Sequence, residues 1–253
     1  MKIYQGLAQP GVIAALGSAL LFGASTPLAG ILLHSVSPWM LAGLLYLGSG
    51  IGLALYRYFS AATKVRLKAE EISWLAGAML AGGVFAPVLL MFGLAQMQIS
   101  SASLLLNTEG IFTSLLAWVV FRENVSKRIA TGMAFILTGA ILLSWSPEAR
   151  ITDFWPSLLV LGACLCWGID NNLTRKLSLL DSTWVAMVKG SVAGCINLSL
   201  ALLLGEAFPP LLTLFIGMTV GFFAYGISLS LFVTALRYLG TARTGAYFSF
   251  SPF

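Results

Sequence analysis

Apolar runs of about 20 residues, separated by short charged patches, recur from one end of the chain to the other. A run of that length crosses the ~30 Å hydrocarbon layer as one helix, with every backbone N–H and C=O satisfied internally. Strands that cross a membrane are about ten residues long and alternate polar with apolar; that alternation is absent. Charged residues make up only 9% of the chain and the mean hydropathy is +0.93, whereas a soluble domain needs roughly 25% charged residues to solvate its surface. The chain therefore reads as an all-α integral membrane protein.

Eight complete spans are expected, at residues 11–33, 38–58, 72–95, 101–121, 129–146, 154–174, 183–204 and 211–235. A ninth begins near Thr241 and is partial at Phe253. The first run is too long for the 7–15-residue apolar core of a signal peptide. Lys and Arg concentrate in cytoplasmic loops, and an N-terminus placed inside puts 12 of the 14 basic residues in inner loops, leaving Arg150 outside and Lys189 within a span. The net charge of +5 thus serves topology, and no basic stripe points to nucleic acid. Trp39, Trp74, Trp145, Trp155 and Trp184 fall at span ends, where indole favours the interface. Trp167 lies well inside the sixth span.

The chain also repeats itself. Leu16-Gly17 through Gly23 in the first span matches Leu161-Gly162 through Gly168 in the sixth at an offset of 145 residues, and Ala95 with 99–102 has a weaker echo in Ala235 with 239–242. Residues 1–150 form one unit of five spans, and 151–253 form a second, incomplete unit. Because the first unit has an odd number of spans, the second must sit inverted in the membrane. Transporters commonly use inverted repeats, with the substrate site near the midplane where the repeats meet.

Three segments carry a resemblance to a known family: Leu20-Leu21-Phe22-Gly23-Ala24-Ser25-Thr26-Pro27; Glu109-Gly110-Ile111-Phe112-Thr113 running on to Phe121-Arg122-Glu123; and Ala242 to Pro252. With the paired five-span units, they make the chain resemble the drug/metabolite transporter superfamily, in particular its EamA-type members, over essentially its whole length. The resemblance implies a ten-helix carrier of small metabolites with both termini in the cytoplasm and a central cavity lined by both units. It also implies that this chain is C-terminally short, lacking the rest of its ninth helix and a tenth span.

An ionisable side chain at mid-membrane costs about 2.5–3.5 kcal/mol on insertion scales and needs a partner, a wet cavity or a role. Glu109, Asp170 and Lys189 are the three to explain. Ser103, Asn107, Gly110 and Ser114 form a stripe at helical spacing, with Glu109 and Thr113 along its edge. Asp170 shares a face with Ala163, Cys166, Trp167 and Thr174, with Asn171 beside it. The candidate substrate or coupling residues are Glu109, Asn107, Thr113, Asp170, Asn171 and Trp167. Asp170 and Lys189 also lie at matching depth on either side of the 175–182 loop, which makes them a candidate structural ion pair.

Gly48/Gly52, Gly190/Gly194 and Gly217/Gly221 have the spacing of close helix contacts. Cys164, Cys166 and Cys195 read as small packing residues, and Pro27 and Pro87 as sites of bending or local breakage.

These features point to a secondary carrier that works by alternating access. Its expected partners are membrane lipid, a small-molecule substrate and protons as the coupling ion. It is expected to lie in a plasma membrane, the inner membrane of a bacterium, with a cytoplasmic N-terminus. No cofactor, metal site or catalytic residue is expected. No Walker motif is present, and His34, the only histidine, lies in a loop, away from any intramembrane serine. The alternatives are a truncated product that inserts without transporting, and an intramembrane enzyme.

Overall fold

The computed structural model describes residues 9–62, 64–123 and 154–251, with a few more between 130 and 138. The span expected at 129–146 falls largely outside the described residues. Every regular element among those described is helical. They are α1 (Pro10–Leu32), α2 (Pro38–Phe59), α3 (Ala69–Leu94), α4 (Ile99–Val119), α5 (Phe154–Lys176), α6 (Ser182–Leu203), α7 (Leu211–Leu239) and the shorter α8 (Thr241–Phe248). Six of these, α1 to α4, α6 and α7, are long and apolar enough to cross a membrane. The α5 helix has 23 residues but carries Asp170, Asn171, Asn172, Arg175 and Lys176 in its last turns. Large apolar side chains face outward along the helices, among them Leu20, Ile31, Leu55, Leu80, Leu165 and Phe215. Such a surface suits lipid and not water.

Local chemistry sets the helix ends. Ser37 caps α2 by accepting from the Met40 N–H, with Pro38 at the first helical position, where its missing N–H costs nothing. Asp181 caps α6 by accepting from the Trp184 N–H at 2.9 Å. Gly240 separates α7 from α8 at φ +79°, a left-handed conformation that a β-carbon would strain. Glu123 then receives the Thr241 N–H and hydroxyl.

At the same end of the molecule, the Arg57 guanidinium donates to Asp181 and Thr183, both at 2.6 Å, and Arg237 donates to the carbonyls of Ser178 and Leu180. At the opposite end Ser37 donates to Glu206.

Packing centres on α2, which lies between α6 and α7. A β-carbon on Gly194 would come within 2.4 Å of the Leu47 backbone nitrogen, and one on Gly221 within 2.0 Å of the Leu45 carbonyl oxygen. Gly48 is equally tight against Met218, and Gly190 against Ser49 and Gly50. Gly217 is looser, its nearest neighbour being 3.7 Å from an added β-carbon. On either side of this stack, α1 packs on α7 and α5 packs on α3.

The cysteine expectation needs correction. Cys164 is buried, but Cys195 is exposed. Helical spacing turns Ala193, Gly194 and Asn197 inward and leaves Cys195 on the outer face.

The α3 and α7 helices each contain a π-helical stretch, Met79–Phe85 and Phe222–Ile227. A π turn leaves carbonyls out of the regular ladder. In α3, Pro87 deepens the effect, because it has no N–H to offer the carbonyls four and five residues back. Those belong to Gly83 and Gly82, and side chains take them up. The Asn197 amide donates to Gly83 O at 2.9 Å, while the Tyr46 hydroxyl and Trp167 indole both donate to Gly82 O, at 2.5 and 3.1 Å. In α7 the Ser49 hydroxyl donates to Tyr225 O at 2.9 Å. Around Pro27, where α1 continues unbroken, the Ser25 hydroxyl donates to Phe22 O.

Candidate functional site

The middle turns of α1, α2, α4, α5 and α7 surround a partly open cavity, with Phe248 of α8 also on its wall. Its polar lining includes Glu109, Asp170, Asn171, Ser18 and Ser228. Each reaches the cavity from the buried stripe of its helix. On α4, Asn107, Glu109, Gly110, Thr113 and Ser114 are buried, while Leu115 and Trp118 point outward. This helix is interrupted at Asn107, between Ile99–Leu106 and Thr108–Val119.

Glu109 is 5% exposed, and its Oε1 accepts from the Asn171 amide at 3.0 Å. The same amide nitrogen donates to Thr113 Oγ1 at 3.0 Å. Asn172 donates to Thr113 O and to Gly168 O, tying α5 to α4. No basic side chain among the described residues pairs with Glu109; the two ion pairs there are Arg57–Asp181 and Lys189–Asp170.

Lys189 Nζ lies 2.5 Å from Asp170 Oδ1 and 2.7 Å from Oδ2, and donates to Thr174 Oγ1 at 3.1 Å. Thr174 also donates to Asp170 Oδ1. All three hydrogens of the ammonium group are thereby used. Gly82 makes room for this pair, since a β-carbon there would fall 1.8 Å from Asp170 Oδ2.

The remaining wall is aromatic. Phe22 touches Trp167, Tyr225 and Phe248 at centroid distances of 5.4, 5.6 and 5.3 Å; Phe248 reaches Phe232 at 5.0 Å, and Tyr225 reaches Tyr46 at 5.0 Å. Six rings from five helices thus form one continuous cluster.

Of the six residues singled out by sequence, Glu109, Asp170, Asn171 and Trp167 line the cavity. Asn107 does not; it is fully buried, and its amide donates to Leu104 O within its own helix. Thr113 lies behind the wall as the acceptor for Asn171. Sequence reasoning missed Phe22, Tyr46, Tyr225, Phe232, Phe248 and the two serines. One signal was available: Tyr46 and Tyr225 are tyrosines in the middle of apolar runs, where a hydroxyl needs a partner.

Residues 9–145 match the model of the EamA-like transporter family. The chain belongs to that family. It is also 30% identical to an uncharacterized transporter of Methanothermobacter thermautotrophicus, over 95% of this chain and 76% of the relative. The fold aligns with a solved crystal structure of a protein at a TM-score of 0.76, with 15% identity over 96% of this chain and 85% of that one. That similarity speaks for the fold alone. With the apolar helices, family membership makes this EamA-like chain a multi-pass membrane protein with a transport role.

Proposed function

We propose that the chain is a secondary carrier that moves a small solute by alternating access at the cavity between two inverted repeats. The observation that carries this reading is the cavity itself, set at the middle of the helices and lined by a carboxyl group, Glu109, with no cationic partner among the described residues. A bare carboxyl at that depth is costly, and function is the usual reason for keeping one.

The repeat reading is supported by matching features of the two halves. The α3 and α7 helices both carry a π stretch, each with a carbonyl taken by a side chain of α6 or α2. The α1–α7 and α5–α3 contacts flank the α2–α6 crossing in the same way. In this reading the first unit holds five spans, the total is eight with a partial ninth, and the N-terminus is cytoplasmic in a plasma membrane. The gathering of Arg57, Arg175, Lys176 and Arg237 at one end of the molecule supports that orientation. Glu109 is the substrate or proton-coupling group, with Asn171 and Trp167 as positioning neighbours, and Asp170–Lys189 holds α5 to α6. The reading assigns transport and no catalysis to the cavity.

The test is a solute screen in proteoliposomes with an imposed pH gradient. Accumulation of at least one small solute by the unmodified chain, absent from protein-free vesicles, is expected. Failure of every solute class to cross under either gradient direction would overturn the carrier reading.

A further inference from the structure

The groups around the cavity sort by what they still have to offer a ligand. The Tyr46 hydroxyl and the Trp167 indole N–H are both spent on Gly82 O. Ser18 and Ser228 donate to each other's carbonyls at 2.8 Å. The Asn171 amide is divided between Glu109 and Thr113. Lys189, 1% exposed, is engaged by Asp170 and Thr174 and is not part of the cavity wall. What remains is the carboxyl of Glu109 and the rings of Phe22, Trp167, Tyr225, Phe232 and Phe248, the other polar atoms on these lining residues being the Asn171 carbonyl oxygen and the Tyr225 hydroxyl, which meets Ser25.

Carboxylate oxygens accept hydrogen bonds and attract positive charge, and aromatic faces attract cations, more strongly where water is excluded. A carboxylate or phosphate ligand would find Lys189, the buried intramembrane cation among the described residues, already committed. A neutral sugar-like ligand would find few free donors among groups that still need partners.

We infer that the cavity takes an organic cation: a primary or substituted amine on an apolar, ring-sized body, its ammonium on Glu109 and its body among the rings. The inference rests on the carrier reading for its physiological sense, but it concerns binding and can be tested apart from transport. It also fixes the role of the Asp170–Lys189 pair. By neutralising Asp170, Lys189 leaves the cavity with one unpaired carboxyl and matches it to a monocation.

The test uses the purified full chain in detergent and four probes of one shape: phenethylamine, 2-phenylethanol, phenylalanine and 3-phenylpropanoate. Binding is read by calorimetry and by quenching of tryptophan fluorescence. Phenethylamine is expected to bind at least about tenfold more tightly than each of the others. Glu109→Gln should lose that preference while keeping the weak binding of 2-phenylethanol, which shows that the cavity is intact. Phe232→Leu, which keeps the volume apolar but removes a π face, should weaken phenethylamine more than 2-phenylethanol. Equal or tighter binding of phenylalanine or 3-phenylpropanoate, an unchanged preference in Glu109→Gln, or no binding of any probe at millimolar concentration would overturn the inference. If phenethylamine binds through Glu109 but no solute crosses in proteoliposomes, the carrier reading fails and the ligand class stands. If an anionic solute is transported and no amine binds, the carrier reading stands and the ligand class fails.

Discussion

Lys189 Nζ on α6 sits within 2.7 Å of both carboxylate oxygens of Asp170 on α5, with Thr174 completing its hydrogen bonds. The lysine is 1% exposed and the aspartate 4%. Two charges at that depth are tolerable only together. Removing one leaves the other buried and unpaired, a loss of about 3–5 kcal/mol, whereas removing both can be close to neutral. Asp170→Asn and Lys189→Met should each lower the folded yield and the midpoint of thermal unfolding in detergent. The double variant should recover part of the loss. Strictly additive losses would show that the two residues do not act as a pair.

Glu109 should matter through its charge. Glu109→Gln keeps the size of the side chain and can still meet Asn171, so insertion and folding should be normal. Accumulation driven by a pH gradient should be lost. Unchanged pH dependence of transport would leave Glu109 as a hydrogen-bonded tie between α4 and α5.

The charged part of this cavity was legible in the sequence. The intramembrane rarity of charge selected Glu109, Asp170 and Lys189, and depth along the spans on either side of the 175–182 loop brought Asp170 and Lys189 to the same level. The polar stripe of α4 was readable from its 3.6-residue spacing. The aromatic wall was not, because a Phe in an apolar run looks the same whether it meets lipid or a cavity: Phe22 and Phe232 are buried, while Phe215 and Phe223 are exposed. Asn107 was misplaced for a similar reason. It lies on the polar stripe, but at an interruption of α4 where its amide is used locally. Pro87 was readable as a site of bending, but sequence could not say that the carbonyls of Gly82 and Gly83 would be taken up by Tyr46, Trp167 and Asn197.

The glycine contacts of α2 give a graded test of packing. An added methyl at Gly194 or Gly221 would press on backbone atoms at 2.4 or 2.0 Å, which cannot yield without separating the helices. At Gly217 it would meet its nearest neighbour at 3.7 Å, an ordinary contact. Gly194→Ala and Gly221→Ala should lower the unfolding midpoint, and Gly217→Ala should leave it unchanged or raise it, since alanine favours helix by roughly 1 kcal/mol over glycine. Equal effects at all three positions would contradict the tight α2–α6 and α2–α7 contacts.

Asp181 lies outside the spans, at the start of α6. Burial pushes its carboxyl up, but the Thr183 hydroxyl, the Trp184 N–H and the Arg57 guanidinium outweigh that and hold it below its usual value of 3.8. A carboxyl depressed on folding adds stability that is fully present above the unfolded value and is lost as pH falls through the folded one. The unmodified chain should therefore lose stability as pH drops below about 3.8. Asp181→Asn should be less stable at neutral pH and show a shallower loss over that acid range, measured by unfolding midpoint against pH. Parallel curves for the two proteins would refute this.

Alternating access requires the cavity to open in turn to both sides of the membrane. Ser228, on the cavity wall, is the place to ask. In a background with Cys164, Cys166 and Cys195 replaced, Ser228→Cys in sealed vesicles of known orientation should react with a membrane-impermeant thiol reagent added from either side. Bound substrate should shift the ratio of the two rates. Labelling from one side only under every condition, or from neither, would contradict alternating access at this cavity.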